Sequence, residues 1–486
     1  MVKLKKLLSS EIEVAVRGSK EIEITGLSSN SKTIAPGNLF VAKKGLRVDG
    51  SQFIGEAISA GASAILTDLY NPFLPANIAQ VIVAKDKISD IEAKLAASYY
   101  HFPSKELFLV GVTGTNGKTT TTYLIRHLLS TVEHPCGLIG TIEWVLGAKI
   151  QPSSYTTPDI ITNQRSLREM VNGGCLSAAM EVSSHALDQK RAEGLEFDVA
   201  IFTNLTQDHL DYHKTMEEYA LAKAKLFSML SEDSVALFNL DSPAWTLMGK
   251  NCKARKMTYG MAAAADLRAE EIVLSDKGTC FQLHYLGSRI AISSVLIGNF
   301  NVYNLLAAIG AALVYGLSLE EIQAKLANFL QVPGRLERVE NRRGLSIFVD
   351  YAHTDDALEN VLKTLLELKP GRLLCVFGCG GDRDRMKRHK MGHIATSLAD
   401  FSLITSDNPR GEDPHAIIQD ILQGCNDPSR YLVESDRKAA IERAIGMLKP
   451  GDLLLIAGKG HERHQIIGAR QSAFDDREIA QRLLSN

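Results

Sequence analysis

One segment in the first third of the chain constrains the fold more than any other. Residues 107–112 (LFLVGV) form a continuous apolar run that leads directly into GTNGKTT at residues 114–120. An uninterrupted apolar strand is typical of a parallel sheet that is covered on both faces. After the loop, the side chains of Tyr123, Leu124, His127 and Leu128 fall on one face of a helix. The segment therefore predicts a strand, a glycine-rich loop and a helix within an open, mostly parallel α/β domain.

The glycine-rich loop has the features of a phosphate-binding site. Glycines let backbone N–H groups point inward, and the N-terminus of the following helix supplies a partial positive charge. In this context Lys118 is expected to contact the β and γ phosphates, and Thr119 is expected to ligate Mg²⁺. The strict G-x-x-x-x-G-K-[ST] pattern is not met, because Val112 occupies the position of its first glycine. The flanking strand and helix predict nucleotide binding all the same.

Two polar segments follow other predicted strands of this domain. EVSSH at residues 181–185 follows a strand at 178–180, and NLTQDHLD at 204–211 follows a strand at 199–202. The carboxyl ends of parallel strands line the active crevice of such folds. Mg²⁺ prefers few protein ligands together with phosphate oxygens and water, which suits Glu181 beside a bound triphosphate. The spacing of His209 and His213 does not indicate a zinc protease, because Leu210 stands where the general base would be.

The chain is predicted to be an α/β protein of three domains. Residues 1–105, with short strands between turns, form a small α+β N-terminal module. Residues 106–331 form the central P-loop-type, mostly parallel α/β domain, and residues 332–486 form a doubly wound, Rossmann-like C-terminal domain. The strands predicted in this last domain are 347–350, 372–377, 401–405, 431–433 and 452–457.

A glycine-rich turn in the C-terminal domain does not indicate a dinucleotide site. The sequence GCGGDR at residues 378–383 follows a predicted strand. The G-x-G-x-x-G fingerprint requires glycine at position 383, where this chain has arginine. NAD binding is therefore disfavoured, and the cationic turn is interpreted as an anion-binding element, with a helix cap as the alternative.

Charge and cysteine content limit the partners and the compartment. With 54 Lys and Arg against 56 Asp and Glu, the net charge is -2, so no overall positive field attracts nucleic acid or an anionic membrane. The 7 cysteines are scattered and include no C-x-x-C pair, which indicates a reducing compartment. No signal-peptide core and no apolar stretch of about 18 residues is found, so a soluble cytoplasmic protein is expected.

A series of motifs along nearly the whole chain resembles, in order, those of the Mur ligases. They look like those of the members that add the third residue of the peptidoglycan stem peptide. The motifs are GTNGKT (114–119), TTPD (156–159), EVSSHALDQKR (181–191), NLTQDHLDYH (204–213), AKAKLF (222–227), GNFNVYNLLAA (298–308), PGRLERV (333–339), VDYAHTDDALENVL (349–362), GCGGDRD (378–384), DNPRGEDP (407–414) and GKGHE (458–462).

The resemblance implies amide formation driven by ATP. The γ-phosphoryl group of ATP is transferred to the γ-carboxylate of D-glutamate in UDP-N-acetylmuramoyl-L-alanyl-D-glutamate, which gives an acyl phosphate. The amine of an amino acid attacks it, and phosphate leaves. Because the phosphoryl transition state is loose, the reaction needs alignment and positive charge more than covalent help.

The resemblance also implies catalytic and nucleotide-binding residues. Lys118, Glu181, His209 and Lys223 are the implied catalytic residues, and Thr119, Glu181 and His209 hold Mg²⁺ together with Lys223 as a CO₂-derived carbamate. Read without the family, Lys223 on a helix is interpreted as a solvated side chain. The implied ATP contacts are Gly114, Thr115, Asn116, Gly117, Lys118, Thr119, Thr120, Asn301, Asn304, Arg335 and His353.

A second implied group binds the UDP-linked precursor. The turns at residues 30–32 and 45–50 resemble uridine-binding turns, although Asn30 and Lys32 depart from the common Asp-Ser-Arg. Arg191, a surface charge when read alone, gains an anionic partner in the precursor's diphosphate or carboxylate. The implied contacts are Ser31, Thr156, Thr157, Ser183, Gln189 and Arg191.

The third implied group selects the amino acid, meso-diaminopimelate. This substrate has one more carboxylate than lysine, and Arg410 can bind it bidentately, with Arg383 at the other end. Lysine-adding relatives lack an arginine at this position. The implied contacts are Arg383, Asp407, Asn408, Pro409, Arg410, Gly458 and Glu462.

Three alternatives stay open at this point. The chain could be a ligase that adds L-lysine, a folylpolyglutamate synthetase-like ligase, or a non-catalytic scaffold that binds ATP and a cell-wall precursor. The first ~100 residues have no counterpart in folylpolyglutamate synthetases, and the intact motif residues disfavour a scaffold. The protein is expected to act as a monomer, without nucleic-acid or membrane partners.

Overall fold

A computed structural model describes residues 1–8, 14–45, 48–368 and 370–485. The chain divides into two compact units. The first comprises Met1–Tyr259 and Ala307–Gly316, and the second comprises Gly260–Leu306 and Leu317–Asn486. The long helix Asn299–Tyr315 contributes residues to both.

The first part of the first unit contains a five-stranded sheet. Four strands run parallel, in the order Gly26–Ser28, Asn38–Val41, Ala64–Thr67 and Ala79–Ile82, and Ala15–Arg17 pairs antiparallel with the last. Strands Val2–Lys3 and Glu23–Ile24 form a separate antiparallel pair. Short strands between turns are thus present in this part of the chain, as predicted. The helices and 3₁₀ turns are Leu4–Leu7, Ser31–Thr33, Gly50–Phe53, Ile54–Ser59, Lys85–Lys87, Ile88–Tyr99 and Pro103–Lys105.

The remainder of the first unit is built on a parallel sheet. Its strands, in spatial order, are Cys136–Ile139, Ser177–Glu181, Phe108–Thr113, Val199–Phe202, Val235–Asn239 and Arg255–Gly260. An antiparallel hairpin, Glu143–Leu146 and Lys149–Pro152, extends the edge at the first of these strands. The helices are Lys118–Leu129, Ile160–Asn172, Ser184–Asp188, Leu210–His213, Met216–Ser228 and Trp245–Met248.

The register of this sheet brings three strand ends to one edge. Glu181 pairs with Val112 on one side of the central strand, and Phe202 pairs with Thr113 on the other. Because parallel strands end at the same edge, the segments that follow them are neighbours there. The phosphate loop therefore lies between the segments that begin at Glu181 and Thr203.

The second unit contains a doubly wound sheet, as the sequence predicts for residues 332–486. Its strands, in spatial order, are Glu337–Arg338, Ser346–Asp350, Leu453–Ala457, Leu373–Phe377, Phe401–Ile404 and Tyr431–Val433. All neighbours are parallel except the first pair. The helices and the 3₁₀ turn are Leu319–Ala327, Asp355–Glu367, Met386–Leu398, Pro414–Leu422, Pro428–Arg430, Arg437–Met447 and Asp476–Ser485.

Alternate residues of these strands pack into separate cores on the two faces of the sheet. Phe348 and Cys375 belong to the core that includes Leu362 of one helix, and Val349 and Val376 belong to the core that includes Ile441 of another. Burial on both faces accounts for the continuous apolar strands in the sequence.

Two antiparallel elements of the second unit were not predicted. Leu267–Ser275, Gly278–Tyr285 and Ser288–Ser294 form a three-stranded meander, and His464–Ile467 pairs with Arg470–Ala473. These strands are partly exposed, so polar residues interrupt the apolar signal by which buried strands are identified. Within the described residues, no helix combines the length and apolar character needed to cross a bilayer.

A buried ion pair connects the C-terminal helix to this sheet. The guanidinium of Arg437 donates to both carboxylate oxygens of Asp476, at 2.7 and 2.8 Å, and both side chains are fully buried. It also donates to the carbonyl of Ala457 at 2.9 Å. Charges are tolerated in such an interior only when they are paired.

Replacing Arg437 by methionine leaves Asp476 buried without its partner. We expect destabilisation of about 3–5 kcal/mol, seen as a lower melting temperature of the second unit in thermal unfolding. Arg482→Met is the control, because Arg482 pairs with Glu478 at the surface and its loss costs less than about 0.5 kcal/mol. Equal melting temperatures for the two variants would contradict this prediction.

Candidate active site

The phosphate loop connects strand Phe108–Thr113 to helix Lys118–Leu129. Gly114 has φ +150°, and a Cβ placed there would lie 1.9 Å from Thr203 Oγ1, so only glycine allows this close approach. The backbone N–H groups of Thr115 and Asn116 donate to the carbonyl and side-chain oxygens of Asn204, each at 2.9 Å. Thr203 Oγ1 donates to the Asn116 carbonyl at 2.6 Å. The neighbouring strand end thus holds the loop in place.

Two lysines converge on this loop. Lys118 Nζ donates to the carbonyls of Gly114 and Thr115, at 2.9 and 2.8 Å. Lys223 Nζ, from helix Met216–Ser228, donates to the same Gly114 carbonyl at 2.8 Å and lies 4.3 Å from the ring centre of Tyr219. Lys223 is only 1% exposed, so its interpretation as a solvated side chain is wrong. Helix Met216–Ser228 buries the face that carries Lys223 against the phosphate loop. The sequence pattern of the helix did not indicate this burial.

The environment of Lys223 favours its neutral amine. Burial lowers the pKa of Lys223 well below its usual range, and the positive charge of Lys118 lowers it further. The carboxylate of Asp208 opposes this shift. A buried amine with a lowered pKa is more nucleophilic at neutral pH than an ordinary lysine.

Glu181 is held rigidly at the end of strand Ser177–Glu181. It is 1% exposed, and its two carboxylate oxygens accept hydrogen bonds from the backbone N–H and the hydroxyl of Thr141, at 2.8 and 3.0 Å. The Thr141 hydroxyl is also 3.1 Å from that of Thr156. Thr141 was not predicted as a site residue, and its position in the turn after strand Cys136–Ile139 carries no motif that would indicate it.

His209 lies in a cluster of aromatic rings beside the lysines. Its ring centre is 4.7 Å from that of His185 and 6.1 Å from that of Tyr219. Burial lowers the pKa of His209, Asp208 opposes the shift, and Lys118 and Lys223 reinforce it. Burial, and then the charge of His209, lower the pKa of His185 to about 4. Both rings are therefore neutral at neutral pH, the form in which histidine binds metals.

The donor set at this edge fits a magnesium ion that keeps most of its ligands from substrate and water. The described residues contain no group of three or more His, Cys, Asp or Glu side chains arranged to hold a metal. They do provide the carboxylate of Glu181, the hydroxyl of Thr119 and the neutral ring of His209 close to the phosphate loop. Mg²⁺ is bound in this sparse manner when phosphate oxygens complete its coordination.

The residues expected to contact the precursor form one network next to Glu181. Thr157 Oγ1 donates to the Glu181 carbonyl at 2.8 Å and accepts from the Ser183 N–H at 3.1 Å. Arg191 donates to the Thr157 carbonyl at 3.1 Å and to Gln189 Oε1 at 2.7 Å. Arg191 is thus half-buried and fixed in orientation, not a free surface charge.

Ser31 lies apart in sequence, in the turn Ser31–Thr33 of the N-terminal sheet. It is buried, and Asn30 Oδ1 accepts from the Lys32 N–H at 3.1 Å, so the departure from Asp-Ser-Arg preserves the cap. In the turn predicted at 45–50, the Gly45 N–H donates to the Val48 carbonyl at 2.9 Å. Leu46 and Arg47 of this turn lie outside the described residues.

The second unit brings the expected amino-acid contacts together at the ends of its strands. Asn408 Nδ2 donates to Glu462 Oε2 at 2.7 Å. Gly458 has φ +114°, and a Cβ there would lie 2.6 Å from Asp407 Oδ2, so glycine is required. Arg410 follows Pro409, has φ 53° and donates to the Gly381 carbonyl at 2.9 Å. This hydrogen bond connects the loop that contains Arg410 to the loop that contains Gly381. Arg383, in the same loop as Gly381, donates to the Asp382 carbonyl at 3.3 Å.

The remaining expected ATP contacts of the second unit form two small groups. Asn304 Nδ2 donates to Asn301 Oδ1 at 2.9 Å, and both asparagines are buried on helix Asn299–Tyr315. The Arg335 guanidinium lies 5.1 Å from the ring centre of Tyr351, and the Tyr351 ring centre lies 4.6 Å from that of His353. Sequence reasoning missed Tyr351, although it lies inside the motif that contains His353.

Family models match three consecutive parts of the chain. Residues 23–100 match the model described as Mur ligase family, catalytic domain, residues 112–312 match the Mur ligase middle domain, and residues 334–460 match the Mur ligase, glutamate ligase domain. These matches agree with an architecture of three domains, as predicted. The order of the motifs along the chain is also that of the matched domains.

Relatives are similar along nearly the full length. A protein of Gloeobacter violaceus named UDP-N-acetylmuramoyl-L-alanyl-D-glutamate--2,6-diaminopimelate ligase is 46% identical and covers 96% of this chain and 95% of its own. The ligase of the same name from Bacillus cereus is 42% identical and covers 100% and 99%. A solved structure with this name has 32% identity and a TM-score of 0.73, covering 100% of this chain and 99% of its own.

A folylpolyglutamate synthase of Mycobacterium tuberculosis shares the fold alone. Its structure has 18% identity and a TM-score of 0.59, and it covers 75% of this chain. The sequence relatives, by contrast, extend over all three matched domains. The chain belongs to the Mur ligase family.

Proposed function

We propose that this chain joins meso-2,6-diaminopimelate to the D-glutamate γ-carboxylate of UDP-N-acetylmuramoyl-L-alanyl-D-glutamate. ATP is consumed, and ADP and phosphate are formed, in a step of peptidoglycan synthesis. The observation that carries this proposal is full-length similarity, at 42–46% identity, to ligases named for these substrates. The three domains at 1–105, 106–331 and 332–486 are assigned to the precursor, to ATP and to the amino acid.

Activation of the carboxylate takes place at the phosphate loop. The N-terminus of helix Lys118–Leu129 and the ammonium of Lys118 bind the phosphates and stabilise charge on the transferred group. Lys118 donates to two loop carbonyls, and on nucleotide binding it exchanges these acceptors for phosphate oxygens. Thr119, Glu181, His209 and modified Lys223 would hold Mg²⁺, which would supply further positive charge at the phosphoryl group.

Lys223 is proposed to act as its carbamate. The neutral amine adds to CO₂, forming an N–C bond, and releases one proton, which leaves a carbamate anion with two oxygen donors. Burial and the lowered pKa of Lys223 support this reaction. The modification places an anion beside the Lys118 ammonium, because both lysines contact the Gly114 carbonyl, and the carbamate oxygens suit Mg²⁺.

The precursor is proposed to lie along the Thr157 network. Arg191 provides the cation for a precursor carboxylate or phosphate, and Thr156, Ser183 and Gln189 provide hydrogen bonds. Thr157 Oγ1 donates to the backbone carbonyl of Glu181. A substrate that contacts Thr157 is therefore close to Glu181, which carries the catalytic carboxylate. Ser31 contacts the uridine nucleotide end of the precursor.

The amino acid is proposed to be selected by charge. Arg410 binds the carboxylate that lysine lacks, and Arg383 binds the other. Asp407, Asn408, Gly458 and Glu462 surround the distal ammonium group. The seven free cysteines support a reducing compartment, so the enzyme is assigned to the cytoplasm.

The specificity is tested by phosphate release with ATP, Mg²⁺ and the UDP-linked dipeptide. We expect turnover with meso-diaminopimelate and a preference over L-lysine on the order of 10⁴-fold in kcat/KM, because lysine leaves Arg410 unpaired. Arg410→Met should lose most of this preference. Equal turnover of both amino acids by the wild type would show a different ligase, and ATP binding without turnover would show a scaffold.

Lys223→Ala should lose on the order of 10²-fold or more in kcat, because the charge and oxygen donors of the carbamate are removed. Added short carboxylates such as acetate or formate should restore part of the activity by occupying the vacated space. Lys225→Ala is the matched control on the same helix, where Lys225 pairs with Asp188 at the surface, and it should retain activity without rescue. Wild-type activity of Lys223→Ala would contradict the carbamate role.

A further inference from the structure

Lys459 is a completely buried lysine that has no role in the site as described so far. It follows strand Leu453–Ala457 and Gly458, and its exposed fraction is 0%. Its ammonium nitrogen lies 3.0 Å from Asn408 Oδ1, 3.4 Å from Glu462 Oε2 and 3.7 Å from Asp407 Oδ1. Lysine is almost never fully buried unless it is paired, so these three acceptors determine its position.

Lys459 determines which way the Asn408 amide faces. Asn408 Oδ1 accepts from two donors, Lys459 Nζ and the Ile466 N–H, both at 3.0 Å. A flipped amide would place its own N–H groups against these donors. The Nδ2 atom must therefore point to Glu462, where it donates at 2.7 Å.

Lys459 also balances two neighbouring carboxylates. Asp407 is buried, and Glu462 keeps about a quarter of its side chain exposed. Without a cation between them, these two carboxylates would repel each other. Removal of one partner from such a group leaves uncompensated charge. The lysine thus holds the Glu462 carboxylate in place through their contact at 3.4 Å.

We propose that Lys459 is a positioning residue of the amino-acid pocket. It orients the Asn408 amide and holds the Glu462 carboxylate in place, while its own ammonium stays buried. This inference rests on the proposed function, because it assumes that Asn408 and Glu462 bind the added amino acid. The role concerns binding of the amine substrate and not activation of the carboxylate.

Lys459→Met tests this role, because methionine retains the apolar stem and removes the donor. We expect the KM for meso-diaminopimelate to rise roughly ten- to a hundredfold, as for loss of a hydrogen bond to a charged group. The KM values for ATP and for the UDP-linked dipeptide should not change. Lys459→Gln, which keeps a donor for Asn408 Oδ1, should show a smaller rise.

Arg372→Met is the matched control for loss of stability alone. Arg372 pairs with the buried carboxylate of Asp452 at 2.5 Å in the same unit, at the opposite end of the strand that precedes Lys459. This variant should lower the melting temperature and leave the KM for meso-diaminopimelate unchanged. A rise of that KM in Arg372→Met as large as in Lys459→Met would overturn the inference.

A double-mutant cycle with Asn408→Ala tests whether Lys459 acts through Asn408. If it does, Asn408→Ala/Lys459→Met should raise the KM for the amino acid less than the product of the two single effects. Independent effects, an unchanged KM in Lys459→Met, or failure of both Lys459 variants to fold would each overturn the positioning role. Failure of the wild type to use meso-diaminopimelate would instead overturn the proposed function.

Discussion

The parallel register of the first unit is the constraint on which the catalytic edge depends. Strand Phe108–Thr113 lies between Ser177–Glu181 and Val199–Phe202, so three strand ends meet at one edge. A shift of register by one residue would move the side chains of a strand to the opposite face. Glu181, the phosphate loop and the Thr203–Asn204 segment are neighbours only because the register is kept by apolar burial on both faces.

Buried lysine and arginine side chains recur in both units, and each donates to oxygen acceptors. Lys223 donates to a loop carbonyl, Lys459 is surrounded by side-chain oxygens, and Arg437 pairs with Asp476. Because burying a polar or charged group is costly, these acceptors must be held in place by the surrounding fold. The near-zero net charge of the chain gives no indication of these concentrated charges. The cost of burying them is consistent with use in binding and catalysis.

Much of the fold could be predicted because its strands are apolar and evenly spaced. Val199–Phe202, Phe401–Ile404 and Tyr431–Val433 begin at the predicted residues. The meander that begins at Leu267 was missed, because exposure of one face replaces the continuous apolar signal by alternation. In the site, the phosphate loop and Glu181 were predicted from their positions after strands. Thr141 was missed because its contact with Glu181 joins the ends of two neighbouring strands that are far apart in the sequence.

The sequence by itself determined the parallel strands, the glycine-rich loop and the motif order, since these depend on local conformation and on burial periodicity. Only the tertiary structure decided which side chains are enclosed. Lys223 and Lys225 lie two residues apart on one helix, yet one is buried against Gly114 and the other pairs with Asp188 at the surface. The pKa of Lys223 is lowered by that enclosure and by Lys118, a residue more than a hundred positions away. Such a shift depends on distances that folding creates, so it cannot be inferred from the neighbours of Lys223 along the chain.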